Sequence, residues 1–536
     1  MWWRDLLFVG LMGGGAVALG INLIPPRAPT PISSYDASAY AATEFRSTVG
    51  RVDASFRQQW SEQKISPAPV APDLVVARRL ALGLMGAIPS LEEIRQFESL
   101  SAEERLPWWI DHILQDRRSA DYLAERFARA FVGTEDGPFI FFRRRRFVSW
   151  LSDQLHQNRP YNQMVHDVIA TQGLWTDHPA TNFVSVTAKQ DDRNQPDPVR
   201  LAGRVTRGFL GLRLDCAQCH NHPFAPWKQA DFQGLAAFFG QTHIGFTGVS
   251  DGDGEFEGTD RKTNEKRVVA PRVPFAAELL PPDGSRRERL AAWVTHPKNP
   301  SFARAAVNRV WALMLGRPLV EPVDNIESDA MPAPPALQIL ADDCAAHDFD
   351  LRRLIRIIAG TEVFRLDSAA DREITDEDDK AWAAFPLIRL RPEQVVGGVI
   401  QASSATTIDL DSHIITRLIR LANQNDFVKR YGDSGDDEFD SRSGTIPQRL
   451  LMMNGTLIHD RIKDNPFNAS TRISFLTASD AHAVEAAYLT VLTRRPTPEE
   501  ADYFQRSLGD RSLSKAQRLE DLFWALVNST EFSWNH

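Results

Sequence analysis

From Pro72 onward apolar residues recur every three or four positions, the period of a helix with one buried face. Leu80, Leu84 and Ala87 share such a face. Pro89-Ser90 followed by Glu92-Glu93 then restarts a helix through a serine N-cap, and Trp108 to Leu114 and Tyr122 to Phe131 continue the pattern. Phe147, Trp150, Leu151 and Leu155 repeat it before the Asn158-Arg159-Pro160 break, and Tyr161, Met164, Val165, Val168 and Ile169 repeat it afterwards. A helix from about Pro198 sets Leu201, Val205, Phe209 and Leu212 on one stripe and runs directly towards Cys216. Farther on, Phe302, Ala303, Ala306, Val307, Val310, Trp311, Met314 and Leu315 fill one face before Gly316 and Pro318 end the helix. Leu351, Leu354, Ile355 and Ile358 form another stripe, as do Leu519, Leu522, Phe523 and Leu526. The expected fold is mainly α.

Two stretches break the pattern. Leu6 to Ile24 is almost uninterrupted apolar sequence, preceded by Arg4 and Asp5 and closed by Pro25-Pro26. Its length is close to the roughly 20 residues that span a bilayer, while Gly13-Gly14-Gly15 and the small residues Ala16, Ala18 and Gly20 also permit cleavage. Residues 1–26 therefore read as a signal peptide or a signal anchor, with the rest of the chain outside the cytoplasm, on the periplasmic side. Residues 27–73, rich in Pro, Ser, Thr and Ala, read as a tether with one helical piece near Ala41 to Gln63. The second stretch, Thr247 to Val273, is polar and Gly-rich and suits an exposed connection with a short hairpin. The expected organisation is two helical domains, 74–245 and 275–536, joined by a polar connection at 246–274.

Charge narrows the class. The 61 Lys and Arg against 70 Asp and Glu give a net charge of -9, which argues against a nucleic-acid partner. With 43% hydrophobic and 24% charged residues, the 536-residue chain is neither disordered nor collagen-like nor a multi-span membrane protein. Three cysteines cannot build a disulfide framework, so position carries their meaning. Cys344 continues the stripe of Leu337, Leu340 and Ala341 and reads as a small buried residue.

The other two form Cys216-Ala-Gln-Cys219-His220, the CxxCH spacing of covalent c-type haem attachment. Each thiol can add across one vinyl group, and His220 can turn beneath the ring to bind iron. Such attachment belongs outside the bacterial cytoplasm, where the apolar N-terminal segment independently directs the chain. Two rivals stay open. Cys216, Cys219 and His222 are also spaced as three ligands of a tetrahedral zinc, with His243 as a fourth candidate, and a CxxC redox or structural disulfide is the other. His222, two residues beyond His220, cannot reach the opposite face of the same haem while the cysteines pin its edge. Met314 belongs to a packing stripe, and Met452 and Met453 have no better claim, so the sixth iron position is unassigned.

The stretch RVTRGFLGLRLDCAQCHNHPFAPWKQADFQGLAAFFGQ, Arg204 to Gln241, resembles a cytochrome-c-like domain family first recognised in planctomycetes. Its members carry FLG, then CAQCHDHPF, then a DF-x-GLAAFF helix; Asn221 stands where the family usually has Asp. The resemblance continues into that family's partner domain of unknown function through RLAAWVTHPKNPSFARAAVNRVWALMLGRPLVEPVD, LMMNGTLIHDRI, YLTVLTRRPTPEE and LFWALVNSTEF, and covers most of residues 75 to 536. Many members have cysteines before LMMNG where this chain has Ser434, Asp436, Asp437 and Ser441, so no metal role is carried over there. The resemblance implies no reaction.

Remaining motifs are weaker. Asp251, Asp253, Glu255 and Glu257 alternate like calcium ligands, but Phe256 and Lys262 occupy the Gly and Glu positions of an EF-hand loop. Arg143 to Arg146 is a run of cations that on a helix points in several directions and reads as a solvated face, with haem propionates, anionic polymer or lipid headgroups as the functional alternatives. No nucleophile elbow, phosphate loop or HExxH is present, so no catalytic residue is named and enzymatic activity is left open. The expectation is a membrane-tethered monohaem protein passing electrons to an unidentified redox partner; its alternative is a non-redox binding or scaffold protein with the Cys/His cluster as a structural metal site.

Overall fold

The computed structural model describes residues 35–134, 142–188, 195–221, 225–259, 265–326, 333–409, 427–428, 430–431, 439, 445–463, 465, 468–509 and 512–536, with residues 3, 8, 10, 12 and 13 of the N-terminal segment. Residues 1–35 and 36–536 separate as two units. The expected membrane segment falls almost wholly outside the described residues, as does the acidic stretch before LMMNG. Among the described residues no helix is long and apolar enough to cross a membrane.

Residues 36–536 are mainly helical. The first half contains α1 (Thr43–Gln63), α2 (Asp73–Met85), α3 (Leu91–Ser99), α4 (Ala102–Gln115), α5 (Arg117–Val132), α6 (Arg144–His156), α7 (Tyr161–Ala170), α8 (Pro198–Val205) and α9 (Gln229–Ala236). The second contains α10 (Arg286–Val294), α11 (Pro300–Leu315), α12 (Pro335–Ala346), α13 (Leu351–Gly360) and α14 (Pro392–Ala402), then α15 (Ile446–Asn454), α16 (Ala469–Leu476), α17 (Asp480–Leu492), α18 (Pro498–Gly509) and α19 (Lys515–Val527). Local signals behave as the sequence predicts. Ser90 caps α3 in a reciprocal box, its Oγ accepting from the Glu93 N–H at 3.0 Å while the Glu93 carboxylate accepts from the Ser90 N–H at 2.7 Å. Gly316 ends α11 in the left-handed region at φ 79°.

Among the described residues there are three small two-stranded antiparallel sheets. Thr242–Gly245 (β1) pairs with Gly248–Asp251 (β2), and Glu257–Thr259 (β3) with Lys266–Val268 (β4), so the polar connection holds hairpins. Ile388–Arg389 (β5) pairs with Trp534–Asn535 (β6), joining positions far apart in sequence.

The tether reading of residues 27–73 is corrected over its described part. Phe45, Thr48, Val52, Phe56 and Trp60 form a buried face of α1, which packs on α12. Thr48 donates to Asp343 at 2.8 Å, and the Trp60 indole N–H donates to the Ala381 carbonyl at 2.9 Å. The Pro-rich segment that follows is held by backbone bonds from Ala68 to Ala383 and from Ala71 to Arg365. Its partners lie about 300 residues away, where a reading based on local composition could not find them.

Helices from both sides of the polar connection share cores in the one unit. Leu82, Ile88, Leu91 and Ile94 join the apolar cluster of Val395, Val399, Leu519 and Phe523. The Tyr161 ring stacks on Phe302 at 5.4 Å. Arg78 and Arg79, fully buried on α2, spend their guanidinium protons on distant carbonyls: Arg78 on Val491, Arg79 on Phe364, Leu366 and His536. Burial pulls Arg79 down to about 9, and its guanidinium lies 3.7 Å from the Phe385 ring centroid.

Candidate functional site

The arm carrying the cysteines begins with Asp197, whose carboxylate accepts from the Val199 and Arg200 N–H groups, and with Pro198 in the first turn of α8. The expected continuous helix does not reach Cys216. After Val205 the backbone widens into a π-turn over Thr206–Leu210, and Gly211 stops it in the left-handed region at φ 62°. A 3-10 turn, Leu214–Gln218, follows; fully buried Leu214 and Ala217 anchor its inner side. Arg207 pairs with Asp215, and Arg213 reaches Asp324 at 2.8 Å, so two ion pairs hold the N-terminal end of the turn.

Cys216 is exposed and Cys219 half-buried, and neither is joined to another cysteine. His220 is exposed, and its Nδ1 lies 2.7 Å from the Asn221 carbonyl oxygen. Donation there places the proton on Nδ1 and leaves the Nε2 lone pair for a metal. Two accessible thiols on one turn beside such an imidazole form a donor set that fits thioether-linked haem. The Asn221 departure keeps the acceptor an Asp would provide, because its Oδ1 accepts from the Gln229 N–H at the start of α9, 3.1 Å away.

For the zinc alternative, His222 lies outside the described residues. The His243 ring lies against other groups: its Nδ1 is 3.3 Å from Gln195 Oε1 and its Nε2 2.8 Å from the Asp253 carbonyl. Among the described residues the one group of three with metal-sized spacing is Glu93, His112 and Asp116. Arg118 already ion-pairs with both carboxylates there, so a guanidinium stands where a metal ion would. Met314 and Met452 are each 1% exposed, in keeping with core roles. Cys344 is buried, and burial pushes its thiol up to about 12.

The calcium-like and cationic motifs are absorbed by ordinary pairing. Asp251 binds the fully buried Arg287 at 2.7 Å, Glu255 binds Arg286, and Glu257 faces Lys266. In the Arg143–Arg146 run, Arg144 grips Glu125 with two bonds, while Arg145 and Arg146 are exposed.

Beside the cysteine turn lies a cavity of about 390 Å³. Asp215 and Gln218 reach it from the turn, Phe131 and Phe232 contribute apolar surface, and Asp324 comes from the loop after α11. Six arginines line it: Arg129, Arg200, Arg204, Arg207, Arg213 and Arg309. Arg200, Arg204 and Arg207 stand four and three residues apart, a spacing that gathers cations on one helical face and was a missed signal. Arg309 could not be found that way, since it comes from a helix a hundred residues later.

No curated protein and no solved structure matches the chain. Two family models do: PSCyt2, described as a protein of unknown function (DUF1549), over residues 51–244, and PSD1, a protein of unknown function (DUF1553), over residues 286–415. Neither description carries an activity. The two regions match these models in tandem, in the order of the planctomycete-type domain pair that the motifs resemble.

Proposed function

We propose that this is an extracytoplasmic protein, tethered to the membrane by Leu6 to Ile24, that carries one c-type haem and exchanges electrons with a protein partner. Cys216 and Cys219 would hold the group through thioether bonds and His220 would bind its iron. The observation that carries the reading is the His220 Nδ1 contact with the Asn221 carbonyl at 2.7 Å, which fixes the ring with Nε2 available beside two accessible thiols. Each thiol would add across one vinyl group, sulfur to one carbon and hydrogen to the other, so attachment would need no net oxidant. Once bound, the group supplies one-electron transfer. Leu214 and Ala217 hold the turn to the core, while the Arg207–Asp215 pair restrains it from the side.

The test is haem staining of denatured protein from a host with export and haem-attachment machinery. A stained band at 60.2 kDa, or slightly lower if the N-terminal segment is cleaved, is expected. Cys216→Ala and Cys219→Ala should each weaken or abolish it, and His220→Ala should change the Soret spectrum more than His222→Ala. Exported protein that contains zinc and no haem, with thiols released only by chelation, overturns the proposal in favour of a structural metal site.

A further inference from the structure

The arginine-lined cavity has a feature that structural packing alone leaves unexplained. Arg309, on α11, is 8% exposed and lines the cavity, yet it makes no hydrogen bond or ion pair with any described residue, and its Nε is buried without an acceptor. A guanidinium Nε buried without an acceptor, on a side chain that lines a cavity, favours an anion there. The lining is richer in guanidinium groups than in carboxylates: six arginines, of which Arg129 is already paired with Glu125 and Glu393, against Asp215, Glu321 and Asp324. Asp324 is already shared between Arg207 at 3.6 Å and Arg213 at 2.8 Å.

We propose that this cavity binds a small free polyanion, a compound bearing two or more carboxylate, sulfate or phosphate groups, with Arg309 as the buried anchor. Planar guanidinium forks match the two oxygens of such groups. Phe131 and Phe232 supply apolar surface for a short carbon skeleton, and the volume suits a metabolite-sized ligand rather than a polymer. Cys216, Cys219 and His220 do not line it, whereas Asp215 and Gln218 of the same turn do, so the site adjoins the haem-binding set without sharing its ligands. It does not depend on the haem reading. It also spans both family-matched regions: Arg200, Arg204 and Arg207 come from the first, Arg309 and Asp324 from the second.

Isothermal titration of the full-length exported protein with citrate and with inorganic sulfate at low ionic strength tests the proposal. Saturable one-site binding of at least one probe is expected, weakening as salt is raised. Arg309→Met should weaken it at least tenfold, and Arg309→Lys, which keeps the charge without the fork, by less. Asp324→Asn should tighten binding about threefold by removing a negative charge from the cavity wall and loosening the hold on Arg213, a gain that a merely structural role does not produce. Absence of saturable binding, wild-type affinity in Arg309→Met, or unchanged or weaker binding in Asp324→Asn overturns the proposal. If Arg309→Met does not fold, the Arg309→Lys and Asp324→Asn arms decide. The Cys216→Ala/Cys219→Ala protein should bind as wild type. Binding seen only in that protein assigns the cavity to carboxylates of a group attached at the cysteines, and overturns the free-ligand proposal while leaving the haem reading intact.

Discussion

Arg118, 5% exposed, pairs with Glu93 and Asp116 in a pocket that geometry alone would assign to a metal. Burial works against the Glu93 charge, but Arg118 and then His112 outweigh it and hold the carboxyl well below its ordinary range. A carboxylate lowered in the folded state stabilises above its unfolded value, about 4.3, and loses that contribution as pH falls through the folded one. Arg118→Met leaves Glu93 buried without its main partner and should cost about 3–5 kcal/mol at pH 7. The gap to wild type should narrow as pH drops towards 4, because the unpaired Glu93 of the variant takes up a proton earlier. Urea titrations at the two pH values measure this; a gap independent of pH would show that Arg118 acts through packing alone. Glu393 shows the same balance, held at about 2 because Arg126 and Arg129 overcome its burial.

The element that decides the candidate site is the arm from Pro198 to His220. Its apolar spacing reads as one helix, because Leu201, Val205 and Phe209 fit helical and π-turn geometry alike. Gly211 breaks the arm. A Cβ added there would meet Ile326 Cδ1 at 2.8 Å, and the Ile326 N–H donates to the Gly211 carbonyl at 2.8 Å. Gly211→Ala should therefore cost about 1–2 kcal/mol in backbone strain, with more from the Ile326 contact, and should lower anion affinity because Arg207 and Arg213, which line the cavity on either side of it, shift with the backbone. Chemical denaturation together with the titration above checks both effects. The cap of α3 makes a milder comparison: Ser90→Ala should cost about 1 kcal/mol, with no effect on anion binding.

At the scale of the whole molecule, cores are shared across the polar connection. Leu82 and Leu91 pack with residues beyond 390, Arg79 donates to carbonyls of Phe364 and His536, and the cavity takes walls from both family-matched regions. Residues 36–536 should unfold in one cooperative transition, and separately produced 36–274 and 275–536 should show helical signal without a sharp one. Calorimetry of the three proteins tests this. Two independent sharp transitions in the isolated pieces would mean that the shared cores contribute little.

The sequence by itself determined what is local. It gave the helical class, the caps at Ser90 and Gly316, the buried place of Cys344 and the CxxCH turn as the candidate chemistry. Each depends on residues within a turn or two of one another, where 3.6-residue periodicity and capping bonds act. Only tertiary contacts bring α1 onto α12, place Arg118 between Glu93 and Asp116, and bring Arg309 to a cavity beside the cysteines. Those outcomes depend on which distant surfaces meet. Burial and charge pairing are properties of the assembled neighbourhood, and residues such as Arg309 acquire their meaning from partners that sequence spacing does not encode.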